Sequence, residues 1–192
     1  KKTEDIAINF LSEDGFEESI TWKLLYENVC KFSSFLKSVG LKKGDRVAAY
    51  VPNKIESVIC FLACVKNGVI WSSCSPDFGT KGVVDRFKQI KPKILITSDY
   101  YFYNGKKINI LEKVGNILEQ IPSIKQTIVF PYKKNEKNKI DNFKNFEEIL
   151  KRSELDETFE RFEFNYPIYI LYSSGTTGKP KCITHGAGNV LI

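Results

Sequence analysis

The chain has 192 residues, 42% of them hydrophobic and 27% charged, with a formal net charge of +6. That length suffices for one domain with a substantial core, and no apolar run approaches the roughly 20 residues of a membrane-spanning helix. The positive charge does not point to nucleic acid: only Arg46, Arg86, Arg152 and Arg161 are arginines among the 29 basic residues, and the lysines are scattered along the chain.

In chain order, the first ten or so residues read as strand and loop. Thr21 is a candidate N-cap for a helix in which Leu25, Val29, Phe32, Phe35, Leu36 and Val39 keep a 3.6-residue period, stopped by Gly40. After the turn at Gly44, residues 46–51 read as an apolar strand. Asn53 is the expected cap of the next helix, which runs to Asn67 and ends at Gly68. Residues 69–71 read as a short strand, followed by a loop holding Ser72, Ser73, Ser75 and Asp77. The alternation then repeats: a helix over 80–89, a strand over 94–97, a helix over 108–121, a strand over 127–130. The Lys- and Asn-rich stretch 133–142 is expected to be a solvated loop and the most mobile segment. A helix over 143–151 precedes a last apolar strand at 167–172. Alternating strands and amphipathic helices predict an α/β fold, a layered parallel or mixed sheet with flanking helices. Ligands of such sheets gather beyond the carboxyl ends of the strands.

Beyond that last strand comes Ser173-Ser174-Gly175-Thr176-Thr177-Gly178-Lys179-Pro180-Lys181. Glycines let backbone N–H groups approach a ligand closely. Four hydroxyls and two lysines add donors and charge suited to a polyphosphate. The spacing is not that of a Walker A loop, and Pro180 opposes a helix running through Lys179. Residues 181–185 read as a second short strand, so the expected arrangement is strand, phosphate loop, strand. A ligand-free hairpin turn is the alternative, but such turns rarely hold these residues in this order.

The run Tyr172-Ser173-Ser174-Gly175-Thr176-Thr177-Gly178-Lys179-Pro180-Lys181 resembles the signature phosphate loop of the adenylate-forming enzymes: acyl-CoA synthetases, luciferases and peptide-synthetase adenylation domains. The resemblance implies ATP binding and activation of a carboxylate as an acyl-adenylate. Trp71-Ser72-Ser73-Cys74-Ser75-Pro76-Asp77-Phe78-Gly79 and residues 84–93 resemble the acetoacetate-activating branch of that family. So does Tyr103-Asn104-Gly105-Lys106, whose counterpart in acetyl-CoA synthetases contributes to CoA binding. By that resemblance Tyr103, Asn104, Gly105 and Lys106 are candidate CoA contacts, and Ser173, Ser174, Gly175, Thr176, Thr177, Gly178, Lys179 and Lys181 are candidate ATP phosphate ligands. On spacing alone, turn chemistry is the favoured explanation of the serines and Asp77 after the 69–71 strand, and Lys106 is as readily an ordinary surface lysine. The implied substrates are acetoacetate, ATP with Mg²⁺, and CoA, giving acetoacetyl-CoA, AMP and pyrophosphate. Activation of acetate or another short acid is the neighbouring alternative, and a non-catalytic nucleotide-binding or interaction domain the alternative of another class.

The family's adenine and ribose motifs, its acidic magnesium ligand and the mobile C-terminal domain with the essential lysine have no counterpart in these 192 residues. The chain is therefore expected to be part of a large N-terminal AMP-binding domain and inactive by itself, with no catalytic residue of its own. It contains no Met, so Lys1 is not expected to be a natural start, and the first residues hold no apolar signal segment. Five cysteines, an odd number, lie mostly in apolar runs. Cys60 and Cys64 lack a further Cys/His pair, which favours free thiols in a reducing, cytoplasmic setting over a metal site. His185, the single histidine, is read as structural, because a carboxylate at neutral pH needs no base to attack. Asp85 and Arg86 are read as structural too.

Overall fold

The computed structural model describes residues 3–133, 143–173 and 178–191; the stretch 134–142 and residues 174–177 lie outside the described residues. A hairpin of β1 (Ile6–Leu11) and β2 (Glu17–Thr21) comes first, then α1 (Trp22–Ser38). The Thr21 side chain caps α1, accepting from the Leu24 N–H at 3.3 Å. There follow β3 (Arg46–Tyr50), α2 (Ile55–Lys66), β4 (Ile70–Cys74), α3 (Thr80–Ile90) and β5 (Ile94–Ser98). A second hairpin, β6 (Tyr100–Tyr103) and β7 (Lys106–Asn109), precedes α4 (Leu111–Gln120) and β8 (Gln126–Phe130). The short β9 (Lys144–Asn145), α5 (Phe146–Arg152), β10 (Pro167–Ser173), β11 (Lys181–Gly186) and α6 (Gly188–Leu191) complete the order.

Seven strands form one sheet in the order β11-β10-β4-β3-β5-β8-β9, parallel throughout except for the antiparallel pair β10–β11. Chain direction across the sheet reverses at β3, which has β4 on one side and β5 on the other. That is the topological switch at which α/β sheets open a crevice. Period-two alternation sends Val47 and Ala49 of β3 into one apolar core and Ala48 and Tyr50 into another. The first core packs α1, α2 and α5, with Phe32, Leu36 and Ile59 buried; the second packs α3 and α4, with Phe87, Val114 and Ile117 buried. The predicted α/β layering with a mostly parallel sheet is what the chain forms.

Several boundaries differ from the expectations, each for a physical reason. Lys54, not Asn53, is the N-cap of α2, and it makes no side-chain cap bond. Its side chain is drawn inward to Glu18 at 2.7 Å, so tertiary pairing overrides the capping preference of Asn53. Strand β4 runs on to Cys74, which makes Ser72 and Ser73 strand residues rather than loop residues. The helix expected over 108–121 starts at Leu111, because 106–109 pairs with 100–103 as the second hairpin. Asn104 and Gly105 both have positive φ, +50° and +71°, the two-residue type I′ turn that an Asn-Gly pair favours. The helix expected over 143–151 is α5, capped by Asn145, whose side chain accepts from the Glu148 N–H at 3.1 Å.

Candidate functional site

Strand β10 runs out of the sheet and β11 returns beside it, with Tyr172 opposite Cys182 and Ser173 opposite Lys181. The last described residue before 174–177, Ser173, thus stands across from Lys181 at the root of the predicted phosphate loop. Ser174, Gly175, Thr176 and Thr177 lie outside the described residues. Gly178, at φ +128°, takes a backbone conformation that disfavours a side chain, and Lys179 and Lys181 are exposed.

Both arms of this root are tied to neighbouring elements. On the outgoing arm, the buried Ser72 hydroxyl of β4 donates to the Ile170 carbonyl at 2.8 Å and lies 3.0 Å from the Tyr172 hydroxyl. Burial pushes the Tyr172 phenol far up, so it stays protonated. On the returning arm, Gln89 of α3 donates to the Pro180 carbonyl at 2.9 Å. Arg86 of the same helix lies 4.2 Å from the Phe78 ring and 5.8 Å from the Tyr172 ring. The expectation that Arg86 is structural agrees with this stacking. Ser72 and Gln89 lie in the stretches singled out in the sequence, but their bonds to this root were not legible there, since the partners lie roughly 90 to 100 positions away.

A second feature sits at the same carboxyl edge. A cleft of about 640 Å³ is lined by Trp71, Ser73, Ser75 and Asp77 on one side and by Tyr101 and Tyr103 of the second hairpin on another. The two stretches singled out in the sequence, 71–79 and 103–106, therefore converge. The Tyr50 hydroxyl, deep in the sheet, lies 2.8 and 2.7 Å from the Pro76 and Phe78 carbonyls and pins the loop between β4 and α3. The Tyr101 phenol is pushed up to about 12 by burial and then by the Asp77 carboxylate, which keeps it a hydrogen-bond donor. The candidate CoA contacts Tyr103, Asn104, Gly105 and Lys106 form the exposed tip of this hairpin. A groove of about 820 Å³ between α1, β9 and α5 shares no residue with either feature.

His185 packs its ring on Tyr169 at 4.8 Å within β11. Among the described residues no three His, Cys, Asp or Glu side chains gather to hold a metal ion. Cys30, Cys60, Cys64 and Cys74 are buried free thiols, and burial raises Cys74 to about 12. No helix among the described residues is long and apolar enough to cross a membrane.

The sequence matches the family described as "AMP-binding enzyme" over residues 1–192. The chain belongs to that family. It is 40% identical to an acetoacetyl-CoA synthetase of Xenopus tropicalis over 203 aligned residues, covering all of this chain and 30% of that protein. It is 40% identical to an acetoacetyl-coenzyme A synthetase of Rhizobium meliloti (strain 1021), covering 97% of this chain and 29% of that protein. The solved structure of an acetoacetyl-CoA synthetase from Streptomyces lividans superposes with a TM-score of 0.91 at 33% identity, over 99% of this chain and 29% of that one. The chain spans about 30% of the length of the relatives it matches. Membership in the AMP-binding family gives the root formed by Ser173 and Lys181 a chemical context: family members bind ATP, and both residues lie in the stretch that resembles the phosphate loop.

Proposed function

We propose that this chain is part of the large N-terminal domain of an acetoacetate–CoA ligase. The whole protein converts acetoacetate, ATP and CoA into acetoacetyl-CoA, AMP and pyrophosphate. The observation that carries this reading is the β10–β11 root, where Ser173 and Lys181 face each other at the carboxyl edge of the sheet. The acetoacetyl-CoA synthetase relatives support the choice of acid.

In the first step a carboxylate oxygen of acetoacetate attacks the α-phosphorus, and pyrophosphate leaves. The chain's residues Ser173, Ser174, Gly175, Thr176, Thr177, Gly178, Lys179 and Lys181 hold the β- and γ-phosphates, orienting the triphosphate and stabilising charge that grows on the leaving group. Magnesium carried in with the nucleotide would supply charge neutralisation of the phosphates, beside Lys179 and Lys181. In the second step the CoA sulfur attacks the acyl carbon and AMP departs. Tyr103, Asn104, Gly105 and Lys106 contact CoA, with Lys106 meeting its phosphates as a point charge. The protein acts on small molecules in a reducing, cytoplasmic setting and binds no nucleic acid.

A substrate panel on the full-length protein tests the assignment. Acetoacetate should support ATP–pyrophosphate exchange with a kcat/KM at least about tenfold above acetate and propionate, a difference of about 1.4 kcal/mol in transition-state stabilisation. Equal or better exchange with acetate would make it a different short-chain acyl-CoA synthetase, and no exchange with any acid would favour a non-catalytic nucleotide-binding domain.

A further inference from the structure

The hairpin of β6 and β7 projects from the main sheet as a separate two-stranded piece. An isolated hairpin of four-residue strands has little stability of its own, so its aim depends on what grips it. Asp99, only 4% exposed, grips the base. Its carboxylate accepts from the backbone N–H of Tyr100 at 2.8 Å, where β6 begins, and from that of Tyr132 at 2.8 Å, just beyond β8. Its backbone carbonyl accepts from the Ile110 N–H at 3.0 Å, where β7 has ended. One residue thus holds both ends of the hairpin and joins them to the end of a central strand. The Tyr132 ring reinforces the joint, 5.0 Å from Tyr100 and 5.7 Å from Phe102.

The tip is gripped separately. The Gly105 N–H donates to a Glu13 carboxylate oxygen at 3.2 Å. Glu13 belongs to the turn of the first hairpin, which is itself fastened by Ser12 to the Tyr132 hydroxyl at 2.6 Å and by the Asp14–Lys133 ion pair. The Lys133 hydrogen bond holds the Asp14 carboxyl down to about 2, so Asp14 is ionised at neutral pH.

We propose that Asp99 and Glu13 are positioning residues for CoA: they fix the angle and height of the hairpin that presents Tyr103, Asn104, Gly105 and Lys106. This rests on the assignment of that hairpin to CoA. A pre-aimed tip loses less conformational freedom when CoA docks, and that difference appears in CoA affinity. The first half-reaction uses no CoA, so it is indifferent to the hairpin.

The test measures two reactions of the full-length protein: acetoacetate-dependent ATP–pyrophosphate exchange, and acetoacetyl-CoA formation against CoA concentration. Glu13→Ala should raise the KM for CoA about three- to tenfold, the scale of one lost hydrogen bond, with exchange changed less than about twofold. Glu13→Gln keeps an acceptor for Gly105 and should stay near the parent value. Asp99→Asn should raise the KM more, by about tenfold or above, since it disturbs a buried carboxylate with several donors. If Asp99→Asn does not fold, Glu13→Ala, in an exposed turn, decides alone. Lys106→Ala serves as the reference. A raised KM for CoA in Lys106→Ala with none in Glu13→Ala would overturn the positioning role and leave the CoA assignment standing. No change in any of the three would overturn both. Exchange falling in step with thioester formation would show a general fold defect and would also overturn the proposal.

Discussion

Replacing Lys181 with alanine in the full-length protein should slow ATP–pyrophosphate exchange by about 10²–10³-fold, the usual cost of removing one preorganised donor to developing charge. Lys181 opens β11 opposite Ser173, and its side chain is exposed, so the fold does not depend on it. Its root is fixed from both sides, by Ser72 on the outgoing arm and Gln89 on the returning one. The lost ammonium therefore acts on the reaction rather than on folding. Thr176→Ala should slow the same exchange, because it removes a hydroxyl from the same run. The effect should fall mainly on kcat, since charge on the pyrophosphate grows in the transition state and contacts strengthened there govern the rate. Exchange at the parent rate in both variants would refute the phosphate-binding role of this segment.

Lys54→Met should destabilise the protein by about 3–5 kcal/mol, the range for breaking a buried ion pair from one side. The Lys54 side chain is fully buried, 2.7 Å from an oxygen of the partly buried Glu18 carboxylate and 3.8 Å from one of the buried Glu56. Its ammonium lies 4.5 Å from the centre of the Phe10 ring and 5.1 Å from that of Phe16. This one cation joins the first hairpin to the start of α2. Methionine fills much of the same space but removes the cation that Glu18 and Glu56 share. Denaturant midpoints of parent and variant at neutral pH measure the loss. Adding Glu18→Gln to Lys54→Met should recover part of the loss, because the two sites are coupled. A loss below about 1 kcal/mol would contradict this view of the pair.

The sequence made the layered sheet legible because its strands are continuous apolar runs and its first helix carries both a period and a cap. Thr21 and Gly40 bound α1 where the local chemistry places them. The second hairpin was missed for a specific reason. Ile108, Leu111 and Val114 extend the periodicity of α4 backwards over β7, and that pattern masked the Asn104-Gly105 turn signal, which argued for two strands. Asn53 misled for another reason. Capping preferences are worth about 1 kcal/mol, less than the burial and pairing of Lys54, which no local pattern announces. The composition of 173–181 drew attention to the end of β10 directly, as a proposed phosphate-binding segment. The ties that hold it, from Ser72 and Gln89, depend on distant chain segments meeting, and single-sequence patterns carry no such information.

The most direct measurement is a crystal structure of the full-length protein with a non-hydrolysable ATP analogue. The β- and γ-phosphoryl oxygens should lie within about 3 Å of donors from Ser173 to Lys181, the ordinary hydrogen-bond distance. Phosphoryl oxygens bound elsewhere, with that segment free of the nucleotide, would contradict the account.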